Sequence, residues 1–219
     1  MALVAVGAMA LVCIRCKHET STAQVAVSAI YLPAPKTEGT MSLEEAIAKR
    51  RSIRDFSGEG LTTEQVSQLA WAAQGITDAK RLLRAAPSAG ATYPLDLYLV
   101  TSEGIFRYLP VEHALAPVAQ GDMRSQLGSG RGAAAKAPLD VVIVADYERI
   151  RKRFGDRAER YACLEAGHVA QNLLLQATAL GLGGVPMGGI QGEQVAGVLT
   201  LPAGQDPLYV IPIGHPVKQ

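Results

Sequence analysis

The rhythm of hydrophobic and polar positions changes several times along the chain, and each change marks an element. From Ser42 the spacing is helical, with Leu43, Ala46 and Ile47 on one face of a segment that runs to about Arg50. Ser42-Leu43-Glu44-Glu45 has the form of a capping box, in which the hydroxyl accepts a backbone N–H and Glu45 reaches back to the cap. Thr62 or Thr63 opens a second helix with Val66, Leu69, Ala70 and Ala73 inward, and Gly75 stops it. Runs rich in β-branched and aromatic residues predict strands over 95–101, 105–109 and 139–147. Residues 139–145 are apolar apart from Asp140, so this strand should be central and covered on both faces. The longest helical candidate is 158–180, ended by Gly181; it is apolar on nearly every side, which suits a core or a subunit interface. A short helix near 193–199 and a strand over 207–213 complete the set. The pattern is α+β, a mostly antiparallel central sheet flanked by helices, and lacks the alternation of a Rossmann chain.

Composition narrows the picture. With 219 residues and 48% hydrophobic content, one well-buried domain is expected. Its expected limits are 41–219, preceded over 1–40 by an apolar leader and an extended arm containing Pro33 and Pro35. Residues 1–14 are almost wholly apolar but too few to span a bilayer comfortably. They resemble the core of a signal peptide without the positive charge that should precede it. A cytoplasmic protein is expected, with export or membrane tethering through 1–14 as the alternative. A net charge of +1 gives no reason to expect a nucleic-acid partner. Cys13 and Cys16 form a lone C-x-x-C, and Cys163 stands apart, so neither a zinc site nor a disulfide framework is indicated.

Four segments carry candidate chemistry. Lys49-Arg50-Arg51-Ser52-Ile53-Arg54-Asp55-Phe56 follows the first helix and ends on an aromatic anchor. At alternate positions of an extended segment, Arg50, Ser52 and Arg54 can converge on one anion, with guanidinium forks suited to phosphate. Arg84-Ala85-Ala86-Pro87-Ser88-Ala89-Gly90-Ala91-Thr92-Tyr93-Pro94 is a loop of small residues between prolines, open to close approach by a flat ligand. Gly181-Leu182-Gly183-Gly184-Val185-Pro186-Met187-Gly188-Gly189 offers further glycines and N–H groups near Met187, and it lacks the dinucleotide fingerprint. Inside the long helix, Glu165, His168 and Asn172 form a polar stripe. Glu-x-x-His is half of a di-iron signature, but no second copy exists in the chain, so metal is rejected. A hydrogen-bonded core or interface network is then the leading reading of the stripe, ahead of direct catalysis.

Taken in order, Arg-Arg-Ser-Ile-Arg-Asp-Phe, Pro-Ser-Ala-Gly-Ala-Thr-Tyr-Pro, Glu-Ala-Gly-His-x-x-Gln-Asn and Gly-Leu-Gly-Gly-Val-Pro-x-Gly resemble the FMN-dependent nitroreductase family, most nearly its SagB-type dehydrogenase branch. The resemblance covers about residue 30 to the C-terminus and implies a nitroreductase-like fold in an intertwined homodimer, with FMN at the interface. Arg50, Arg51, Ser52 and Arg54 match positions that hold the phosphate, ribityl chain and pyrimidine edge. Pro87, Ser88 and Ala89 match a loop that reaches the flavin from the partner subunit. Pro186, Met187, Gly188 and Gly189 match the segment over the isoalloxazine ring. Arg131 and Lys218 stand where the family often carries further polar or basic contacts. Glu165 and His168 are at most weak catalytic candidates. NADH or NADPH would reduce the flavin, and a nitroaromatic, quinone or similar small molecule would reoxidise it. The resemblance leaves two alternatives: oxidation of a peptide azoline or other small substrate by a SagB-type dehydrogenase, and a flavin-binding protein with little turnover.

Overall fold

The computed structural model describes residues 28–128 and 132–217. Cys13, Cys16, Arg131, Lys218 and the apolar 1–14 lie outside the described residues. A seven-stranded sheet, antiparallel at every pairing of its strands, forms the centre. Its strands are β1 (Ile30–Tyr31), β4 (Leu95–Val100), β5 (Gly104–Leu109), β6 (Ala114–Gln120), β7 (Leu139–Asp146), β8 (Gly183–Gly184) and β9 (Gln205–Gly214), in the order β1-β6-β5-β4-β7-β9-β8. A separate hairpin joins β2 (Ile76–Asp78) to β3 (Leu83–Arg84). The helices are α1 (Leu43–Lys49), α2 (Thr63–Gln74), α3 (Ala133–Lys136), α4 (Tyr147–Phe154), α5 (Ala158–Ala179) and α6 (Gly192–Val198).

The apolar run of β7 reflects its place between β4 and β9. Successive side chains point to opposite faces, so Val141, Ile143 and Ala145 enter one core with Leu69 and Ala73 of α2 and Val169 and Leu173 of α5. Val142 and Val144 enter a second core with Leu127, Val195 of α6, Leu199 and Val210. Asp140 lies on this second face, wholly buried, with no hydrogen-bond partner for either oxygen among the described residues. Burial pushes its carboxyl well above the usual carboxylate range, against the pull of nearby Arg124.

Several expectations change in detail. Thr62 completes a capping box with Gln65 at the start of α2, whereas α1 has half of one. Ser42 Oγ accepts the Glu45 amide at 3.1 Å, but the Glu45 carboxylate turns along the helix to Lys49 at 2.6 Å. Only Ala46 of the α1 apolar face is buried; Leu43 and Ile47 are 61% and 56% exposed. The third predicted strand stops at Asp146, because the Asp146 side chain accepts the Glu148 amide and starts α4, an amphipathic turn that the sequence reading left out. Strand β6 was also left out, since Pro117 breaks its pattern. Pro117 is tolerated beside a register shift between Ile105 and Phe106 of the neighbouring strand.

Candidate active site

The arginine segment is threaded between two other parts of the chain. Arg50 ends α1 and already has an extended backbone (φ −55°, ψ 123°). Ser52 then bridges Gly184 in parallel, and the Ile53 N–H donates to the Gly184 carbonyl at 3.1 Å. Beyond it the Ser57 N–H donates to the His215 carbonyl at 2.9 Å, and the Val217 N–H donates to the Asp55 carbonyl at 3.2 Å. Ile53 and Phe56 pack on Ala133 and Ala137, while Ser52 and Arg54 are exposed. The structure therefore joins the first and third motif segments in one subunit.

Glycine makes that join possible. A Cβ on Gly183 would sit 2.6 Å from Cγ1 of Ile53, and one on Gly184 would sit 2.8 Å from the Pro212 carbonyl oxygen. Further along, Met187 pairs with Val210 through both backbone groups, at 3.0 and 3.1 Å. Exposed N–H donors are expected from Met187 to Gly189; that of Met187 is spent on the ladder, and among the described residues the Gly188 and Gly189 amides make no backbone hydrogen bond. Both glycines are exposed, and a Cβ on Gly189 would meet nothing within 4 Å. There is open space against the backbone where a flat ring can lie.

The cations differ in how they are used. Arg51 turns back to the carbonyls of Ala48 and Arg50, at 3.0 and 2.7 Å, and so serves the C-terminal end of α1. Arg50 is half-buried and Arg54 exposed, and neither meets a carboxylate among the described residues. A half-buried cation without an acid beside it is suited to an anionic ligand.

The loop over 84–94 is held by its own hydrogen bonds. The Arg84 amide donates to the Tyr93 phenol oxygen at 3.0 Å, and the Tyr93 amide donates to Ser88 Oγ at 2.9 Å. From outside, Arg153 Nη1 donates to the Gly90 carbonyl at 2.7 Å. Gly90, Ala91 and Tyr93 all have left-handed backbones (φ 58°, 53° and 47°). Among the described residues no hydrogen bond or ion pair joins this loop to the arginine segment of the same chain.

The polar stripe of α5 divides. At about 100° per residue Asn172 lies near the azimuth of Glu165 while His168 is rotated away. Glu165 is 2% exposed, Asn172 reaches the Ala85 carbonyl at 3.4 Å, and His168 is exposed. A hydrogen-bonded core or interface network is the expectation for Glu165; among the described residues neither oxygen has a partner of good geometry, although Ser88 and Gln74 are near enough to draw its pKa down. Burial outweighs them and raises it. Gln74 and Arg84, which complete this cluster, were not singled out from sequence. A glutamine at the last position of α2, directly after the apolar run Leu69-Ala70-Trp71-Ala72-Ala73, was the available signal. Among the described residues no group of His, Cys, Asp or Glu is arranged to hold a metal, and no helix is long and apolar enough to cross a membrane.

The sequence profile of the nitroreductase family matches residues 47–215, which includes all four motif segments. The chain belongs to the nitroreductase family. A protein of Methanocaldococcus jannaschii described as a nitroreductase is 35% identical over 187 residues, covering 81% of this chain and 93% of the relative. The microcin B17-processing protein McbC of Escherichia coli is 27% identical over 155 residues, 64% of this chain and 57% of McbC. Among solved structures, a protein of Ralstonia eutropha described as a nitroreductase superposes with a TM-score of 0.82 at 31% identity, over 89% of this chain and 92% of the other. The NADPH:FMN oxidoreductase of Vibrio harveyi, complexed with NAD+, superposes with a TM-score of 0.60 at 25% identity, over 80% of this chain and 69% of the other.

Proposed function

We propose that this nitroreductase-family chain is an FMN-dependent oxidoreductase acting as a homodimer, reduced by NADH or NADPH and reoxidised by a nitroaromatic, quinone or similar acceptor. The observation that carries the reading is the pairing of Ser52 with Gly184, which lays the segment of Arg50, Ser52 and Arg54 beside a glycine turn with open space at Gly189. Bound FMN would supply the two-electron chemistry between the nicotinamide and the acceptor.

The chain's own residues have three tasks. Arg50 and Arg54 hold anionic oxygens at the phosphate and the pyrimidine edge, and Ser52 adds a hydroxyl. Stabilising negative charge at that edge favours the reduced flavin. The amides of Gly188 and Gly189 donate toward the ring, with Pro186 and Met187 shaping the turn. Pro87, Ser88 and Ala89 reach the flavin of the partner subunit. That division between subunits accords with the lack, among the described residues, of any hydrogen bond from the loop to its own arginine segment. Leu43 and Ile47 of α1 and Leu164 of α5 are each more than half exposed on a single chain, and a partner subunit would cover them.

The test is anaerobic reduction of the bound flavin by NADH or NADPH, followed by its reoxidation with a nitroaromatic. Turnover through both half-reactions supports the reading; reduction without reoxidation leaves a flavin carrier. A second reading, oxidation of a peptide azoline, is favoured by the likeness to McbC and predicts flavin reduction by an azoline peptide without nicotinamide.

A further inference from the structure

Beneath the 84–94 loop, α2, β3 and α5 bring together three polar side chains that the proposed chemistry does not use: Gln74, Arg84 and Glu165. Gln74 and Glu165 are 1% and 2% exposed. Arg84 Nη1 donates to Gln74 Oε1 at 3.0 Å, and its guanidinium lies 4.6 Å over the Tyr93 ring. The remaining ends are open. Among the described residues Gln74 Nε2 and both Glu165 oxygens have no hydrogen-bond partner. Ser88 Oγ already accepts the Tyr93 amide, so its own O–H is left to donate. The same face of α5 reaches the loop through Asn172, which donates to the Ala85 carbonyl at 3.4 Å, and Ser88 and Gln74 lie near enough to the Glu165 carboxyl to lower its pKa against burial. Buried polar groups left unmade are costly, so such a cluster favours any state of the loop that closes it.

The loop above has reason to need an anchor. Ala91 and Tyr93 hold left-handed conformations that residues with a Cβ adopt only where the surroundings over-determine them. Ser88 is the link, because its hydroxyl, near enough to Glu165 to lower the carboxyl's pKa, also holds the Tyr93 amide. We propose that Glu165 is a positioning residue: in the shape of the 87–89 loop that grips the flavin of the partner subunit, its carboxylate takes the Ser88 O–H and the Gln74 amide N–H and so favours that shape over the one described. This rests on the proposed flavin site. Glu165 itself touches neither flavin nor substrate, being sealed under the loop, and its neighbour His168 faces away from it.

The experiment measures FMN dissociation constants by flavin fluorescence on the full-length protein, with thermal melts of the flavin-free form. The variants are Glu165→Met, Glu165→Gln, Ser88→Ala and the Glu165→Met/Ser88→Ala pair. Loss of the two hydrogen bonds predicts an FMN Kd about tenfold weaker for Glu165→Met. Its flavin-free melting temperature should stay level or rise, because an unpartnered buried carboxyl has been removed. Glu165→Gln should weaken binding less, since its carbonyl can still accept from Ser88 while its NH2 opposes that of Gln74. The pair should lose less than the sum of its single losses. Unchanged FMN affinity in Glu165→Met, or additive losses in the pair, would overturn the proposal. Should Glu165→Met not fold, Glu165→Gln decides by the same reading. A wild-type protein that takes up no FMN sinks the functional reading and this inference with it; wild-type uptake with unaffected variants sinks this inference alone.

Discussion

Ser52 pairs in parallel with Gly184, and the Ile53 amide beside it closes on the Gly184 carbonyl at 3.1 Å. Two segments more than a hundred residues apart in sequence are held edge to edge, and the fit leaves no room for a methyl at Gly183. Gly183→Ala forces its Cβ to within 2.6 Å of Ile53 Cγ1, into packing that is already closed. The expected cost is about 1–3 kcal/mol of stability, the usual range for overpacking. Displacing Ser52 should also weaken FMN binding. A denaturant melt and an FMN titration on the same preparation check both; normal values for each would separate this contact from the site.

Arg50 and Arg54 are cations without carboxylate partners among the described residues, so their removal leaves no acid unpaired. Arg50→Ala with Arg54→Ala should weaken FMN about a hundredfold or more, at roughly 1.5–3 kcal/mol for each charge-assisted hydrogen bond. Stability of the flavin-free chain should change by less than about 1 kcal/mol. Equilibrium dialysis of FMN measures the first and urea unfolding the second. Full FMN occupancy in the double variant would contradict the phosphate assignment.

Asp140 offers a test confined to the fold. Its folded carboxyl has a raised pKa because it is buried, so the folded state holds the proton more tightly than the unfolded chain. The contribution is intact in acid and is lost as pH rises from the ordinary carboxylate range, about 4, through the raised value. Asp140→Val places a β-branched residue beside Val142 and Val144 and removes the unpartnered group. It should gain roughly 1–3 kcal/mol at neutral pH, with a gap over the wild type that is smallest near pH 4 and widens between pH 5 and pH 8. Unfolding curves across that range settle the sign.

The exposed apolar face has a simple reading in solution. Leu164→Glu on α5, or Ile47→Glu on α1, places a charge where the homodimer would bury an aliphatic side chain. Either should shift sedimentation from dimer toward monomer and release FMN in parallel. A dimer that persists in both variants would place the interface elsewhere.

Much of the sheet and of the long helix was legible because period and burial agree in them. The apolar run 139–145 marks a strand with cores on both faces, and the helix predicted over 158–180 was found as Ala158–Ala179. Other features depend on partners that a single sequence does not display. Glu45 caps in principle but is drawn to Lys49, and the Met187 amide is taken by Val210. Pro117 hides β6 because the register shift that tolerates it lies on the neighbouring strand. In the site, the arginines and glycines were visible as residue types. The contact of Ser52 with Gly184, and the cluster of Gln74, Arg84 and Glu165 from three elements, exist only after folding.

The central claim is tested most directly by the absorbance spectrum of the purified full-length protein, with the ligand released by denaturation and identified. The account predicts flavin bands in the native protein, or after addition of FMN to the flavin-free form, and FMN at about one per subunit on release. A colourless protein that takes up no added FMN would contradict it.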